Sequence, residues 1–229
     1  MFKVLKNLKE SWISVIAIVL LLVVQAAGDL TLPDYTSKIV NVGIQNGGIE
    51  NVAPDVIRKS EMENLLIFTE DDDKILASYE EISKEDLDSE EYEKLVKKYP
   101  ALENETLYRI KKISKSEQDE LDSLMAKPLM MISTTKQMPK EQIDKMLETV
   151  NQKLDDMQES ILEQAAIQEV KNEYKAIGID TDSIQNQYII MAGLKMLGIS
   201  LIIMISAISI MCLSARVAAR LAKTLREKV

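Results

Sequence analysis

The chain carries WISVIAIVLLLVVQAAGDLTL at residues 12–32 and YIIMAGLKMLGISLIIMISAISIMCL at residues 188–213. Each stretch is mostly apolar and has about the 20 residues that an α-helix needs to cross the hydrocarbon core of a bilayer. The charged segment between them, roughly 150 residues long, has the size of an ordinary domain. The sequence therefore predicts two transmembrane helices, with the chain passing out of the bilayer and back.

Acidic and basic residues are distributed unevenly along the chain, and the acidic ones are concentrated in its middle. Residues 51–187 hold 18 basic and 32 acidic residues, a net charge of −14, whereas the whole chain of 229 residues has −9. Basic residues flank the outer ends of both apolar stretches, and by the positive-inside rule both termini are expected in the cytoplasm. Residues 51–185 are then expected outside the cell. The flanking basic residues include Lys3, Lys6, Lys9, Arg216, Arg220 and Lys223.

Residue types exclude several classes of function. The chain has no histidine and one cysteine, Cys212, which lies inside the second apolar stretch. It therefore lacks both a disulfide framework and a zinc ligand set. Gly-x-Ser-x-Gly and phosphate-loop motifs are also missing from the sequence, so no catalytic, cofactor-binding or metal-binding residue is predicted. An acidic polar region argues against nucleic-acid binding.

These boundaries give four segments. They are an amphipathic interfacial helix (1–11), transmembrane helix 1 with an outer extension (12–50), an acidic helical extracellular domain (51–185), and transmembrane helix 2 with a cytoplasmic extension (186–229). Pro33 is expected to kink the first helix or to end its lipid-exposed part, and Asn46-Gly47-Gly48 to stop its continuation. A cleaved signal peptide is the rival interpretation of the first stretch, but Gln25-Ala26-Ala27 is a poor cleavage site.

The polar region is predicted to be helical. Glu, Lys, Leu and Met dominate it, and no run of residues sustains the alternation of period two that marks a strand. We therefore assign the chain to the all-α membrane proteins, with a Leu, Ile and Met core in the polar region. The acidic run at 70–73 is interpreted as a solvated loop. The candidate helices are 60–68, 73–81, 83–98, 115–132 and 140–176.

Four polar residues in or beside the apolar stretches are candidates for the translocation pathway or for helix pairing. They are Gln25, Asp29, Asp34 and Lys195. If the two helices are antiparallel neighbours, Lys195 lies at a depth similar to that of Asp29 and Asp34, which predicts an ion pair with one of them. Snorkelling of Lys195 to the headgroups is the alternative. Gln25 either faces a cavity or, as is commoner for such residues, bonds between helices.

A cytoplasmic interface is predicted after the second apolar stretch. Arg216, Arg220 and Lys223 share this part of the helix with an apolar stripe at a spacing of four residues. The second helix is therefore expected to continue into the cytoplasm and to pack against a partner there. The stripe consists of Val217, Leu221 and Leu225.

Three stretches resemble one family. LPDYTSKIVNVGIQNGGI, at residues 32–49, resembles the first transmembrane helix of multidrug-type ATP-binding-cassette (ABC) exporters, with its Leu-Pro, its Ile-Val-Asp/Asn-x-Gly-Ile and its glycine-rich ending. ARVAARLAKTLREKV, at residues 215–229, is similar to the cytoplasmic extension of the second helix in that family. The enlarged middle, with YKAIGID at residues 174–180, looks like the extracellular insertion of a bacterial subset.

The resemblance implies that the chain is the N-terminal part of the transmembrane domain of an exporter in a bacterial plasma membrane. ATP and Mg would serve the full-length protein, on a nucleotide-binding domain beyond the C-terminus, and no cofactor is expected in this chain. The implied partners are the lipid bilayer, that domain, and a second half-transporter in a homodimer or heterodimer, with no nucleic acid. The substrate would be a drug, a lipid or a peptide.

Two other classes compete with this interpretation. A membrane receptor of the chemoreceptor or sensor-kinase type has the same order of helix, outer domain and helix. Pro33, and the glycines that end the helical continuation after it, favour the exporter. A structural or assembly protein would fit the acidic domain but predicts no long cytoplasmic helix.

Overall fold

The computed structural model describes residues 12–85, 87–135 and 159–226. It divides into two compact units, which we call the helix unit (within 1–41 and 188–229) and the polar domain (42–187). The expected interfacial helix at 1–11 and the first part of the expected helix at 140–176 lie outside the described residues. So does the side chain of Leu225, the last member of the apolar stripe predicted at 217–225.

Two long helices form the helix unit. Helix α1, Trp12–Lys38, is about 40 Å long at 1.5 Å per residue and continues as a π-helix, Ile39–Gln45. Pro33 lies inside α1, so the proline does not end the helix. The last helix of the chain, α7, has 46 residues, Thr181–Arg226, and reaches about 69 Å. Both helices are long and apolar enough to span a membrane.

Three short strands in the polar domain correct the expectation of an all-helical region. Strands β1 (Val56–Arg58), β2 (Tyr79–Ile82) and β3 (Leu107–Ile110) form an antiparallel sheet in the order β1-β3-β2. In β2 the residues at the two ends are buried, while Glu80 and Glu81 between them are not. A strand of three or four residues is too short for its alternation to stand out from the sequence, and pairing with β3 fixes its conformation.

In the described part of the polar domain, six helices surround the sheet or connect its strands. They are α2 (Lys59–Leu66), α3 (Asp72–Ala77), α4 (Ser89–Lys98), a 3₁₀-helix (Pro100–Glu103), α5 (Lys115–Thr135) and α6 (Glu159–Ile177). The helices expected at 60–68 and 115–132 are confirmed. The expected helix at 73–81 was too long, because its second half is β2. The helix expected at 83–98 was predicted to begin too early. The observed helix begins at Ser89, after the N-cap residue Asp88, whose side chain accepts a hydrogen bond from the Glu91 amide.

The polar domain has a continuous aliphatic core. Helix α5 packs along α6, and α6 also packs against β1. Methionine and branched aliphatic side chains dominate the core, as the composition predicts, and three tyrosines complete it: Tyr79, Tyr99 and Tyr174. Its most completely buried members include Ile57, Met62, Leu65, Ile75, Leu107, Met125, Leu129 and Ile177.

Candidate functional site

The predicted polar residues of the helix unit lie mostly at its surface. Asp29, Asp34 and Lys195 are exposed, and Gln25 is half-buried. Within the described part of the two helices, no ion pair connects Lys195 to Asp29 or Asp34 within 4 Å. The structure thus places these residues in the helix unit without joining them directly, and their pairing stays a prediction. Asp34 contributes to an open cavity of about 460 Å³ on α1, together with Thr31, Tyr35, Ser37 and Lys38.

The two long helices approach each other closely at Gly28. A Cβ atom added to Gly28 would lie 2.6 Å from Cγ1 of Ile203 and 3.6 Å from Cγ2 of Ile199. A larger residue at this position would require the Ile203 side chain or one of the helices to shift, and small residues allow such close approach between membrane helices. Ser206, which is 3% exposed, is one of the few buried residues of the helix unit. Sequence reasoning missed Gly28, because its partner lies 175 positions further along the chain.

Large apolar side chains cover most of the two apolar stretches of the helix unit. No residue of α1 is buried. Large side chains on both helices are strongly exposed, among them Leu30 at 75%, Met211 at 72% and Ile190 at 70%. Contiguous apolar patches of more than a few hundred Å² are rare on soluble proteins and mark a surface that another partner or a lipid covers.

The polar domain holds together the two chain segments that lead into it. The Gln185 side chain donates a hydrogen bond from Nε2 to the Gly43 carbonyl, at 2.9 Å. Gly48, with φ of 82°, lies so close to α7 that an added Cβ would be 2.8 Å from Cα of Gln185. The residues after the π-helix are therefore fixed against the start of α7 by close backbone packing as well as by a hydrogen bond.

The segment after Gly48 is anchored deep in the polar domain. Ile49, Val52 and Ala53 are buried. Asp122 accepts a hydrogen bond from the Ala53 amide at 2.8 Å. The Asp55 amide donates a hydrogen bond to the Tyr174 hydroxyl at 2.8 Å, and the Tyr79 hydroxyl donates one to the Pro54 carbonyl at 2.9 Å. Three side chains of the domain therefore hold this segment.

Burial governs the titration of the groups that anchor this segment. It raises the pKa of Tyr79 well above its ordinary value of 10.0. It also raises the pKa of Asp122, although the hydrogen bond from the Ala53 amide partly offsets the effect. The two tyrosines act as neutral hydrogen-bonding groups, because burial raises the pKa of Tyr174 too.

An ion pair between partly exposed Arg58 and buried Glu173 connects β1 to α6. Arg58 donates to both carboxylate oxygens of Glu173, from Nη2 at 2.7 Å and from Nε at 2.9 Å, and its amide donates to Oε1 at 2.8 Å. Glu173 is 1% exposed. The hydrogen bond to Glu173 raises the pKa of Arg58, although burial opposes the shift. This arrangement satisfies a carboxylate inside the domain and has a structural role.

The basic residues predicted for the cytoplasmic interface lie on the last part of α7. Arg216, Arg220 and Lys223 are exposed, while Val217 and Leu221 beside them are half-buried. Helix α7 ends at Arg226, so it continues 13 residues past the apolar stretch that ends at Leu213, as predicted. Among residues 12–85, 87–135 and 159–226, no group of three or more acidic or cysteine side chains could hold a metal ion.

Comparisons with protein-family models, curated proteins and solved structures gave no match to this chain. The geometry of the two units is therefore the basis for assigning a function.

Proposed function

We propose that the chain is the N-terminal part of the transmembrane domain of an ABC-type exporter, with the polar domain inserted between its first two membrane helices. The observation that carries this proposal is the pair of long apolar helices, α1 and α7, whose lateral surfaces are uncovered. The motif at residues 32–49 connects that architecture to the exporter family.

Lipid is the solvent that suits the helix unit. Of the 23 large apolar side chains that are exposed among the described residues, 20 belong to this unit. Transfer of each such side chain from water to an apolar phase is favourable by about 1.5–3 kcal/mol. Gly28 and Ser206 would then lie in the helix–helix contact, while the surrounding aliphatic side chains face acyl chains or further helices of the same domain.

The polar domain would lie outside the cell and both termini in the cytoplasm. Its acidic composition and the basic residues beyond the two apolar stretches support this orientation. Asp29, Asp34 and Lys195 would then lie near the outer headgroups, where charged side chains are tolerated.

The cytoplasmic part of α7 would connect the membrane to an ATP-hydrolysing domain. That domain would be encoded after residue 229 and would bind ATP and Mg. Arg216, Arg220 and Lys223 would face the cytoplasmic lipid headgroups or that domain, and α7 would transmit its closure to the membrane helices. Gln25 is the residue of α1 that we propose for the wall of the pathway or for a bond between helices.

The coding sequence after residue 229 provides the first test. We expect four further apolar helices, a phosphate-binding loop and an ABC signature motif. Heptad repeats followed by a kinase or methylation region would instead make the chain a receptor. The second test is ATP-dependent transport by the full-length protein in inverted vesicles, with a phosphate-loop lysine variant as the inactive control.

A further inference from the structure

A groove in the polar domain lies beside an exposed apolar side chain and a run of acidic residues. It is an open cavity of about 410 Å³ between the end of α2 and the middle of α5. Its apolar part is formed by Phe68, Leu124, Pro128 and Met131. Met131 is 2% exposed, so the domain itself covers almost all of this side chain.

Ile67 lies in the lining of this groove and is 69% exposed. Among the described residues from 49 to 135, it is the one large apolar side chain that is exposed to this degree. The domain thus covers its apolar side chains elsewhere in this range but leaves one uncovered beside a cavity. A partner that brings an apolar side chain would remove Ile67 from water, which is favourable.

The chain beside the groove is acidic. Glu70 and Asp71 line the cavity, and Asp72 and Asp73 follow them, both exposed. Lys74 pairs with Asp71 at 3.4 Å and with Glu120 at 3.9 Å, so it offsets only part of the negative charge. Lys127 is the basic residue in the lining. Residues 70–74 carry a net charge of −3 and therefore attract a cation.

From this combination we propose that the groove docks a cationic amphipathic peptide segment. An apolar side chain of the peptide would cover Ile67 and enter the groove over Phe68 and Pro128. Its basic side chains would lie toward residues 70–73. A second copy of this chain is a poorer occupant, because residues 51–187 carry a net charge of −14 and two such domains repel each other. The proposal does not depend on the transport function.

The test uses the full chain in nanodiscs of phosphatidylcholine, whose zwitterionic headgroups do not attract a cationic peptide. The probe is a short fluorescein-labelled peptide of alternating lysine and leucine, and binding is measured by fluorescence anisotropy. We expect saturable binding that weakens with rising salt. Matched controls are empty nanodiscs and the same peptide with glutamate in place of lysine, which we expect not to bind.

Three variants locate the binding site. Ile67→Ser should weaken binding about tenfold, because the covered apolar surface is lost. The double variant Asp72→Asn, Asp73→Asn should weaken it about threefold at low salt and less at high salt. The matched control is Glu90→Gln, Glu93→Gln, which removes two exposed carboxylates on α4 and should leave binding unchanged. Circular dichroism verifies that each variant is folded.

Several results would overturn the proposal. One is binding by Ile67→Ser that equals binding by the wild type. Another is a loss in the α4 control as large as that in Asp72→Asn, Asp73→Asn, which would indicate diffuse attraction to an acidic domain. Failure of the peptide to bind, together with self-association that Ile67→Ser abolishes, would make the groove a contact between copies of the chain.

Discussion

The helix unit and the polar domain use the same aliphatic residue types in opposite ways. In α1 no residue is buried, whereas Ile57, Met62, Leu65 and Leu107 of the polar domain are 0% exposed. Water is the solvent that drives apolar side chains into a core, and such burial is absent where the surroundings are themselves apolar. The contrast therefore indicates two different solvents for the two parts of one chain.

The largest expected effect is the loss of the ion pair between Arg58 and Glu173 in the polar domain. Glu173→Gln should lower the free energy of unfolding by about 3 kcal/mol, because it removes the buried charged acceptor of three hydrogen bonds and leaves Arg58 with the partly exposed Glu105 carboxylate at 3.6 Å. Urea-dependent pulse proteolysis of the chain in nanodiscs measures this energy. Lys94→Gln is the control, since its pair with Glu90 is exposed and should contribute no more than about 0.5 kcal/mol. Equal effects of the two variants would contradict the structural role of Glu173.

A matched pair of leucine truncations tests the contrast itself. Leu65→Ala removes a side chain that is 0% exposed and should cost about 3 kcal/mol. Leu194→Ala removes one that is 61% exposed on α7 and should cost less than about 1 kcal/mol in the same measurement. If Leu194→Ala is as costly as Leu65→Ala, the helix unit has a packed interior of its own.

The next effect concerns the turn that leads into the polar domain. Gly48→Ala introduces a Cβ at φ of 82° and 2.8 Å from Cα of Gln185, which should cost about 2 kcal/mol. The control is Gly198→Ala, because a Cβ at Gly198 meets nothing within 4 Å. Stability of Gly48→Ala equal to the wild type would show that the close packing of Gly48 on α7 is not needed.

Within the helix unit, the contact at Gly28 should respond more weakly. Gly28→Ala forces α1 and α7 apart at Ile203 by steric conflict, at a cost of about 1 kcal/mol. Spin labels at Leu20→Cys and Ile208→Cys, in a Cys212→Ser background, should report a longer mean distance. The additional change Ile203→Ala should restore the distance, and Gly193→Ala should leave it unchanged. An unaltered distance in Gly28→Ala would exclude this contact.

The smallest effect is a pH dependence from Asp122. Burial raises its pKa in the folded domain above the ordinary value of 3.8, so the folded state favours the protonated form. This contribution to stability is fully present below pH 3.8 and is lost as the pH rises through the folded pKa. Asp122→Asn keeps an oxygen that can accept from the Ala53 amide, so it should remove this dependence. A pH profile of unfolding identical in both proteins would contradict this account.

Sequence alone predicted the parts of the fold that depend on local or uniform signals. The two apolar helices follow from composition, and the predicted start of α5 at residue 115 is confirmed. In the structure Ser114 and Glu117 bond reciprocally at this helix N-terminus. The strands were missed because β1 and β2 have three and four residues, and their partner β3 lies 25 or more positions further along the chain. The early start predicted for α4 overlooked Asp88 as the capping residue.

The candidate sites were harder to predict, since they depend on distant contacts. The polar residues of the helix unit stood out by composition, although their partners did not. Gly28 carries no local signal that distinguishes it from Gly193 or Gly198, which meet no neighbour. The groove beside Ile67 joins the end of α2 to the middle of α5, about 60 residues apart, so the acidic run at 70–73 was interpreted only as a solvated loop.

One labelling experiment tests the central claim most directly, namely that the apolar helices separate an acidic domain from basic ends across a bilayer. In a Cys212→Ser background, Glu93→Cys and Arg220→Cys are treated in intact cells with a maleimide that cannot cross membranes. We predict that Glu93→Cys is labelled at once and Arg220→Cys only after the cells are made permeable. Labelling of both positions in intact cells, or of Arg220→Cys alone, would contradict the account.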